Sequence, residues 1–234
     1  MLKPLINANE FLGVVRPALG QCDAAALAHA VKVRWRAKDV AQLLRHSDVE
    51  VRRAAAIALG LMGEKPCYGS LARALHDDDW RVNEMAENAI WSILFRSGDP
   101  RAARPFRAGM AHMNDGSYDQ AISSFMKATR VDPNFAEAYN QCAIAHFFNA
   151  QWIQAVANCR RAIHLVGCHF GAYSGMGHCY VELGKMEEAA HYYRRALQIN
   201  PRMATVAQAL ERLEATLLDM LDSSGVYQID HNSN

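Results

Sequence analysis

Small and turn-forming residues recur in the second half of the chain at a constant interval. Successive members of each set lie 34 residues apart, and the sets are Ala121, Ala155 and Ala189, and Pro133, Gly167 and Pro201. A fixed period of this length is typical of stacked helical units that bury their apolar faces only against one another. The pattern predicts three units, which start at Ala102, Ala136 and Phe170.

Aromatic and small residues follow a fixed order inside each unit. In the third unit the order is Tyr173, Gly177, Tyr180, Ala189 and Tyr193. We expect the small residues where two helices cross, because large side chains there would force the helices apart. The pattern resembles the tetratricopeptide repeat. That resemblance implies helix pairs that bind extended peptides along the face formed by the first helix of each unit.

A looser periodicity precedes this array. When the sequence is aligned with itself at an offset of 31 residues, Asp48, Val51 and Ala55 align with Asp79, Val82 and Ala86. Each unit reads as a short helix such as Val40–Arg45, a polar turn, and a longer helix such as Val49–Met62. Asp48 is expected to cap the longer helix, and Gly63 is expected to take a left-handed conformation at its end.

The segment His46–Gly63 resembles the HEAT repeat family in its Asp, Val, Arg, Ala, Leu, Gly order. The resemblance implies stacked helix pairs that mostly bind other macromolecules. Asn83 takes the place of Arg52 in the following unit, which argues against an Asp–Arg ladder between neighbouring units.

Together the two resemblances imply an all-α, right-handed helical-repeat solenoid. Gly98 and Pro100 end the first array, which gives HEAT-like repeats over residues 1–98. Three tetratricopeptide units and an amphipathic capping helix follow over residues 102–221, and residues 222–234 are predicted to be a flexible tail. As an alternative for the tail, Val226, Tyr227 and Ile229 could dock as a short peptide.

Composition and charge exclude several classes of protein. The chain is 51% hydrophobic with a formal net charge of +1, so no molecule-wide field favours nucleic acid or an anionic membrane. No signal peptide is expected, and no apolar run is long enough to span a membrane, so a cytoplasmic location is expected. The six cysteines lack a CxxC pair and are expected to be reduced core residues.

The tetratricopeptide resemblance places a groove on the first helix of each unit. The residues carried over to it are Phe106, Met110, Met113, Asn114, Asn140, Ile144, Phe147, Phe148, Ser174, His178, Val181 and Glu182. Exposed Met and Phe suit an adaptable site for a protein or peptide partner. The alternatives are that the chain itself or a second copy in a homodimer covers this face.

One subset of the tetratricopeptide family holds the C-terminal carboxylate of heat-shock chaperones with Lys, Asn and Arg. This chain has Phe106, Met110, Gln141, Gly171 and Gly175 at the corresponding positions. The basic clamp is absent, so that function is not expected.

A basic cluster in the first array suggests a different function. Its members are Lys32, Arg34, Trp35, Arg36 and Lys38. An aromatic ring among cations can stack on a nucleic-acid base, but the neutral overall charge makes nucleic acid the weaker alternative.

Enzymatic function is a further alternative, because HEAT-like repeats also occur in bilin lyases. No residue suggests a catalytic role, and no cofactor is expected. Cys142, His146 and Cys159 could be drawn as a metal site, but they occupy packing positions of the repeat, so no metal is expected. The sequence therefore favours a non-enzymatic scaffold that binds a protein or peptide.

Overall fold

The computed structural model describes residues 6–223, and every regular element in that range is helical. The first seven helices are α1 (Ala8–Gly20), α2 (Ala24–Arg34), α3 (Ala37–Val40), α4 (Val49–Met62), α5 (Tyr68–Ala74), α6 (Trp80–Arg96) and α7 (Ala103–Asn114). They are followed by α8 (Tyr118–Val131), α9 (Ala136–Phe148), α10 (Trp152–Leu165), α11 (Phe170–Glu182), α12 (Met186–Ile199) and α13 (Ala204–Ser223). Short 3-10 helices cover Ala41–Arg45, Lys65–Cys67 and Pro100–Ala102. The predicted all-α repeat class is confirmed.

The chain divides into two compact units. One unit contains the residues as far as Arg104 together with Ala128–Glu137, and the other contains Pro105–Lys127 together with the chain from Ala138 onward. The repeat boundaries at residues 98 and 102 stay a prediction. Helix α13 continues to Ser223, so the first two residues assigned to a flexible tail are helical. The rest of that tail, with Val226, Tyr227 and Ile229, lies outside the described residues.

Helices α4 and α6 form the centre of the first unit. Both carry apolar residues at helical spacing, and Ala55, Leu59, Ala86 and Ile90 are at most 1% exposed. The small alanines allow the two helices to approach closely. Asp48 caps α4, because its carboxylate accepts a hydrogen bond from the Glu50 backbone N–H at 2.8 Å, as predicted.

The prediction for Gly63 is wrong. Its φ of −62° and ψ of 155° lie in the extended region, outside the left-handed one. A Cβ at this position would lie 2.5 Å from the Leu59 carbonyl oxygen and 2.8 Å from Ile93 Cδ1. The absence of a side chain therefore allows a close approach at the end of α4. The short helix predicted over Val40–Arg45 also divides, into the end of α3 and a 3-10 helix.

An Asp–Arg ladder joins neighbouring repeats of the first unit, contrary to expectation. The Arg52 guanidinium bonds both carboxylate oxygens of Asp77, at 2.7 and 2.9 Å. Arg53 does the same with Asp79, at 3.0 and 2.6 Å. Asn83 bonds within its own repeat, where its Nδ2 donates to the Ala74 carbonyl at the end of α5 and to the Asp77 carbonyl in the turn. The expectation failed because Arg52 reaches forward to the next turn, so the residue that replaces it at position 83 does not affect this pair.

The second unit repeats one helix hairpin geometry. A Cβ on Gly177 would lie 2.4 Å from the Tyr193 ring, so the close crossing of α11 and α12 requires glycine. The turns that follow α7 and α11 contain Gly116 and Gly184, whose φ angles are +69° and +71°. The equivalent turn after α9 contains Ala150 with φ +54°, a conformation that is unfavourable for a residue with a side chain.

Candidate protein-interaction site

A cavity of about 320 Å³ opens between α9, α10 and α11 in the second unit. Its lining residues are Ala143, Ile144, Phe147, Phe148, Cys159, Gly175, His178 and Cys179. Apart from Gly175, His178 and the two thiols, these residues have side chains made only of carbon and hydrogen. Ligand cavities are commonly apolar with few polar groups, and this one has that character.

Small residues create the floor of the cavity. A Cβ at Gly175 would lie 3.2 Å from the Cys159 sulfur, so the missing side chain leaves room beside that thiol. Cys159 and Cys179 are 2% and 1% exposed. Burial raises the pKa of Cys179 to about 12 and raises the pKa of Cys159 as well. Both thiols are therefore neutral near pH 7 and contribute no charge to the floor.

Two consecutive phenylalanines form the mouth of the cavity. Phe147 and Phe148 pack edge to face with ring centroids 5.8 Å apart. Phe148 also stacks on Tyr118, at 5.4 Å and an interplanar angle of 16°, yet it is 57% exposed. Its position is thus fixed by a neighbouring ring while much of its apolar surface faces solvent.

His178 is the most polar residue of the lining. Its Nδ1 lies 2.7 Å from the Tyr193 hydroxyl, and the Phe147 ring centroid lies 6.4 Å from its own. Loss of solvation lowers the pKa of His178, although Glu182 acts in the opposite direction. Burial raises the pKa of Tyr193 to about 12. The imidazole is therefore neutral near pH 7, and the Tyr193 hydroxyl can donate to Nδ1.

The predicted groove residues fall into three groups in the structure. Ile144, Phe147, Phe148 and His178 line the cavity. Met110, Met113, Asn114, Val181 and Glu182 are partly or fully exposed outside its lining. Phe106, Asn140 and Ser174 are buried, at 6%, 3% and 7% exposure. The Phe106 ring lies 5.7 Å from that of Phe125 and belongs to the interior of the second unit.

Sequence reasoning missed half of the cavity lining. The sequence places Cys159 and Cys179 among the core residues, Gly175 enters only through the absent basic clamp, and Ala143 is not assigned to the groove. The available signal was a run of small residues on facing helices, which leaves space whenever no large side chain fills it.

The basic cluster of the first unit lines a separate cavity of about 450 Å³. Lys32, Trp35, Arg36 and Lys38 belong to its lining, together with Glu64. The Trp35 ring packs on Phe11 with centroids 5.4 Å apart, and Arg36 pairs with Asp39 at 2.9 Å. Arg34 does not line the cavity, since its guanidinium donates to the Ala30 carbonyl of its own helix. The structure thus brings four of the five predicted residues together.

Family models match both arrays. The HEAT repeats model matches residues 37–125, and the tetratricopeptide repeat model matches residues 171–203. Both predicted resemblances are confirmed. The HEAT match runs past residue 98 into α7 and α8, which the 34-residue period assigns to the first tetratricopeptide unit.

Similar proteins include protein bimA of Emericella nidulans, which is 31% identical over 96 residues. That alignment covers 41% of this chain and 12% of bimA. Small glutamine-rich tetratricopeptide repeat-containing protein 2 of Saccharomyces cerevisiae is 33% identical over 99 residues, covering 42% of this chain and 29% of that protein. The chain therefore matches only a small part of each relative.

Among solved structures, the first TPR of Spaghetti (RPAP3) bound to the HSP90 peptide SRMEEVD is similar with a TM-score of 0.50 and 27% identity. The match covers 52% of this chain and 97% of that one. The Sgt2 TPR domain from Aspergillus fumigatus gives a TM-score of 0.51 at 16% identity, covering 58% and 91% of the two chains. The second likeness concerns the fold alone.

Every helix within residues 6–223 is too short or too polar to span a lipid bilayer.

Proposed function

We propose that this chain is a non-enzymatic protein-interaction module whose partner inserts an apolar side chain into the cavity between α9 and α11. The observation that carries the proposal is an open, apolar cavity of about 320 Å³ beside a Phe148 ring that is 57% exposed. Exposed apolar surface of this kind is typical of interaction sites.

The cavity chemistry supports a side chain such as Leu, Met or Phe as the occupant. The lining holds no charged side chain, and His178 and both floor thiols favour their neutral forms. Full burial of one large apolar side chain contributes about 1.5–3 kcal/mol. The similar TPR of Spaghetti holds a peptide, which is consistent with a peptide or protein segment as the partner class.

The test compares three variants for binding of a partner segment. Phe148→Ser removes the mouth of the cavity without touching a buried core residue, and Gly175→Leu fills the floor. Ile153→Ser is the matched control, because Ile153 is 71% exposed and lies outside the lining. We expect the first two variants to lose binding of an immobilised apolar peptide panel and the control to retain it. Unchanged binding by Gly175→Leu, with helix content intact by circular dichroism, would refute the proposal.

A second candidate function is nucleic-acid binding at the basic cavity of the first unit. The observation in its favour is that Lys32, Lys38 and the Trp35 ring line one cavity. Glu64 in the same lining and the Arg36–Asp39 pair reduce its positive charge. Absence of a mobility shift with single-stranded DNA or RNA at low salt would eliminate this candidate. The cytoplasmic location, the homodimer and the repeat boundaries stay predictions.

A further inference from the structure

Two carboxylates lie next to residues that line the apolar cavity. Glu182 follows the lining residue His178 by four positions on α11, so both side chains lie on one face of the helix. Its charge acts on His178, where it opposes the lowering of the pKa. The second carboxylate, Asp119, accepts a hydrogen bond from the Asn149 side chain at 2.8 Å, and Asn149 directly follows Phe148.

Neither carboxylate is held in an ion pair in the part of the chain that the structure describes. The neighbouring Lys185 pairs with Glu188 at 3.9 Å. The cavity also lies toward the C-terminal ends of α9 and α11, where the helix dipole adds partial negative charge. Each contribution therefore has the same sign, and together they favour a positively charged group beside the cavity.

We infer that the partner segment is basic: one large apolar side chain enters the cavity, and lysine or arginine residues of the same segment face Asp119 and Glu182. The inference rests on the proposed function and adds the charge of the partner. It also separates this site from the one in Spaghetti, whose bound peptide SRMEEVD carries three acidic residues. A peptide of that charge would bring like charges together at this mouth.

The experiment uses the full chain and two amphipathic peptides with identical leucines. One peptide has lysine at its polar positions and the other has glutamate, and SRMEEVD serves as a third probe. We expect fluorescence anisotropy at low ionic strength to give about tenfold tighter binding of the lysine peptide, since exposed ion pairs contribute modestly. The preference should decrease as salt is added, because exposed charges are screened.

Charge-reversing variants connect the preference to this site. Asp119→Lys combined with Glu182→Lys should reverse the order of the two matched peptides. Glu84→Lys is the control, because Glu84 is an exposed carboxylate on α6 in the other compact unit, and it should leave the order unchanged. Phe148→Ser should weaken both peptides, which identifies the apolar contribution separately.

Each other outcome overturns a specific statement. Equal binding of the two matched peptides, or tighter binding of SRMEEVD, overturns the basic partner while the apolar cavity keeps its proposed function. No binding of any probe overturns both. Sedimentation as a dimer that Phe148→Ser dissociates would make a second copy the occupant and would overturn the basic segment.

Discussion

Ala150 occupies a turn position at which the two equivalent turns of the chain have glycine, and Ala150→Gly should stabilise the protein. In all three turns the same two backbone bonds close the end of the helix. After α9 they run from Ala150 N to Phe147 O at 3.0 Å and from Gln151 N to His146 O at 2.8 Å. After α11 the equivalent bonds, donated by Gly184 and the residue after it, both measure 2.9 Å. The hydrogen-bond pattern is therefore the same, while the residue with the positive φ is alanine after α9 and glycine after α7 and α11.

The size of the effect follows from the backbone conformation. A left-handed conformation costs an L-amino acid roughly 1–2 kcal/mol, and Ala150 has φ +54°. Glycine removes this cost but gives the unfolded chain about 0.5–1 kcal/mol more conformational freedom. Ala150 is exposed, so no buried contact is lost. The expected net gain is about 0.5–1 kcal/mol, which corresponds to a rise in melting temperature of about 1–4 °C for a chain of this size.

Urea unfolding followed by circular dichroism measures this gain directly. Gly184→Ala is the matched variant, because φ is +71° at Gly184 and a Cβ there would meet no atom within 4 Å. It should destabilise the protein by a similar amount without a steric clash. A loss of stability in Ala150→Gly, or no change in Gly184→Ala, would show that the positive φ does not determine how much these turns contribute to the stability of the protein.

Three further predictions concern other parts of the chain. Arg96→Met should destabilise the protein by about 1–3 kcal/mol, because the Arg96 guanidinium donates to carbonyls at the C-terminal end of α4. An unchanged midpoint of urea unfolding would contradict this prediction. Hydrogen bonding to Arg53 lowers the pKa of Asp79 from 3.8 to about 2, so its ionised form contributes stability above pH 3.8 that disappears as the pH falls through 2. Asp79→Asn keeps a capping oxygen but loses the carboxylate charge that pairs with Arg53, so it should be less stable than the native chain at pH 7 and equally stable below pH 2 in acid titrations. A thiol reagent should react quickly with exposed Cys22 and slowly with Cys142, whose burial raises its pKa to about 12. A fast phase that persists in Cys22→Ser would show that the fast-reacting thiol is not Cys22.

Much of the fold could be predicted where a local signal determines the local structure. The bounds of α4 were predicted to the residue, because Asp48 supplies the cap and the apolar spacing continues to Met62. Gly63 was misinterpreted because a glycine that adopts a positive φ and one that permits close packing look the same in a sequence. Only the positions of Leu59 and Ile93 distinguish the two cases.

The candidate site was less predictable because it depends on space between three helices. Phe147 and Phe148 could be predicted because the tetratricopeptide resemblance places both on the groove face of the first helix of their repeat. Phe106, Asn140 and Ser174 occupy the same position in their units, and all three are buried. The family-based groove therefore included one repeat position that faces inward throughout. The groove prediction also omitted Gly175, which does line the cavity, because a glycine gives no hydrophobic or polar signal in the sequence.

The Asp–Arg ladder is also directional, because the arginines belong to one repeat and their acidic partners to the repeat that follows. Arg52 and Arg53 on α4 form ion pairs with Asp77 and Asp79 in the turn of the next repeat. The Asn83 side chain instead donates to two carbonyls of its own repeat. A tandem copy of the repeat with the arginines would keep the Arg53 pair, because Asp48 is the equivalent of Asp79, but it would lose the Arg52 pair, because His46 is the equivalent of Asp77. A copy of the next repeat would form neither pair, because Asn83 and Glu84 stand in place of the two arginines.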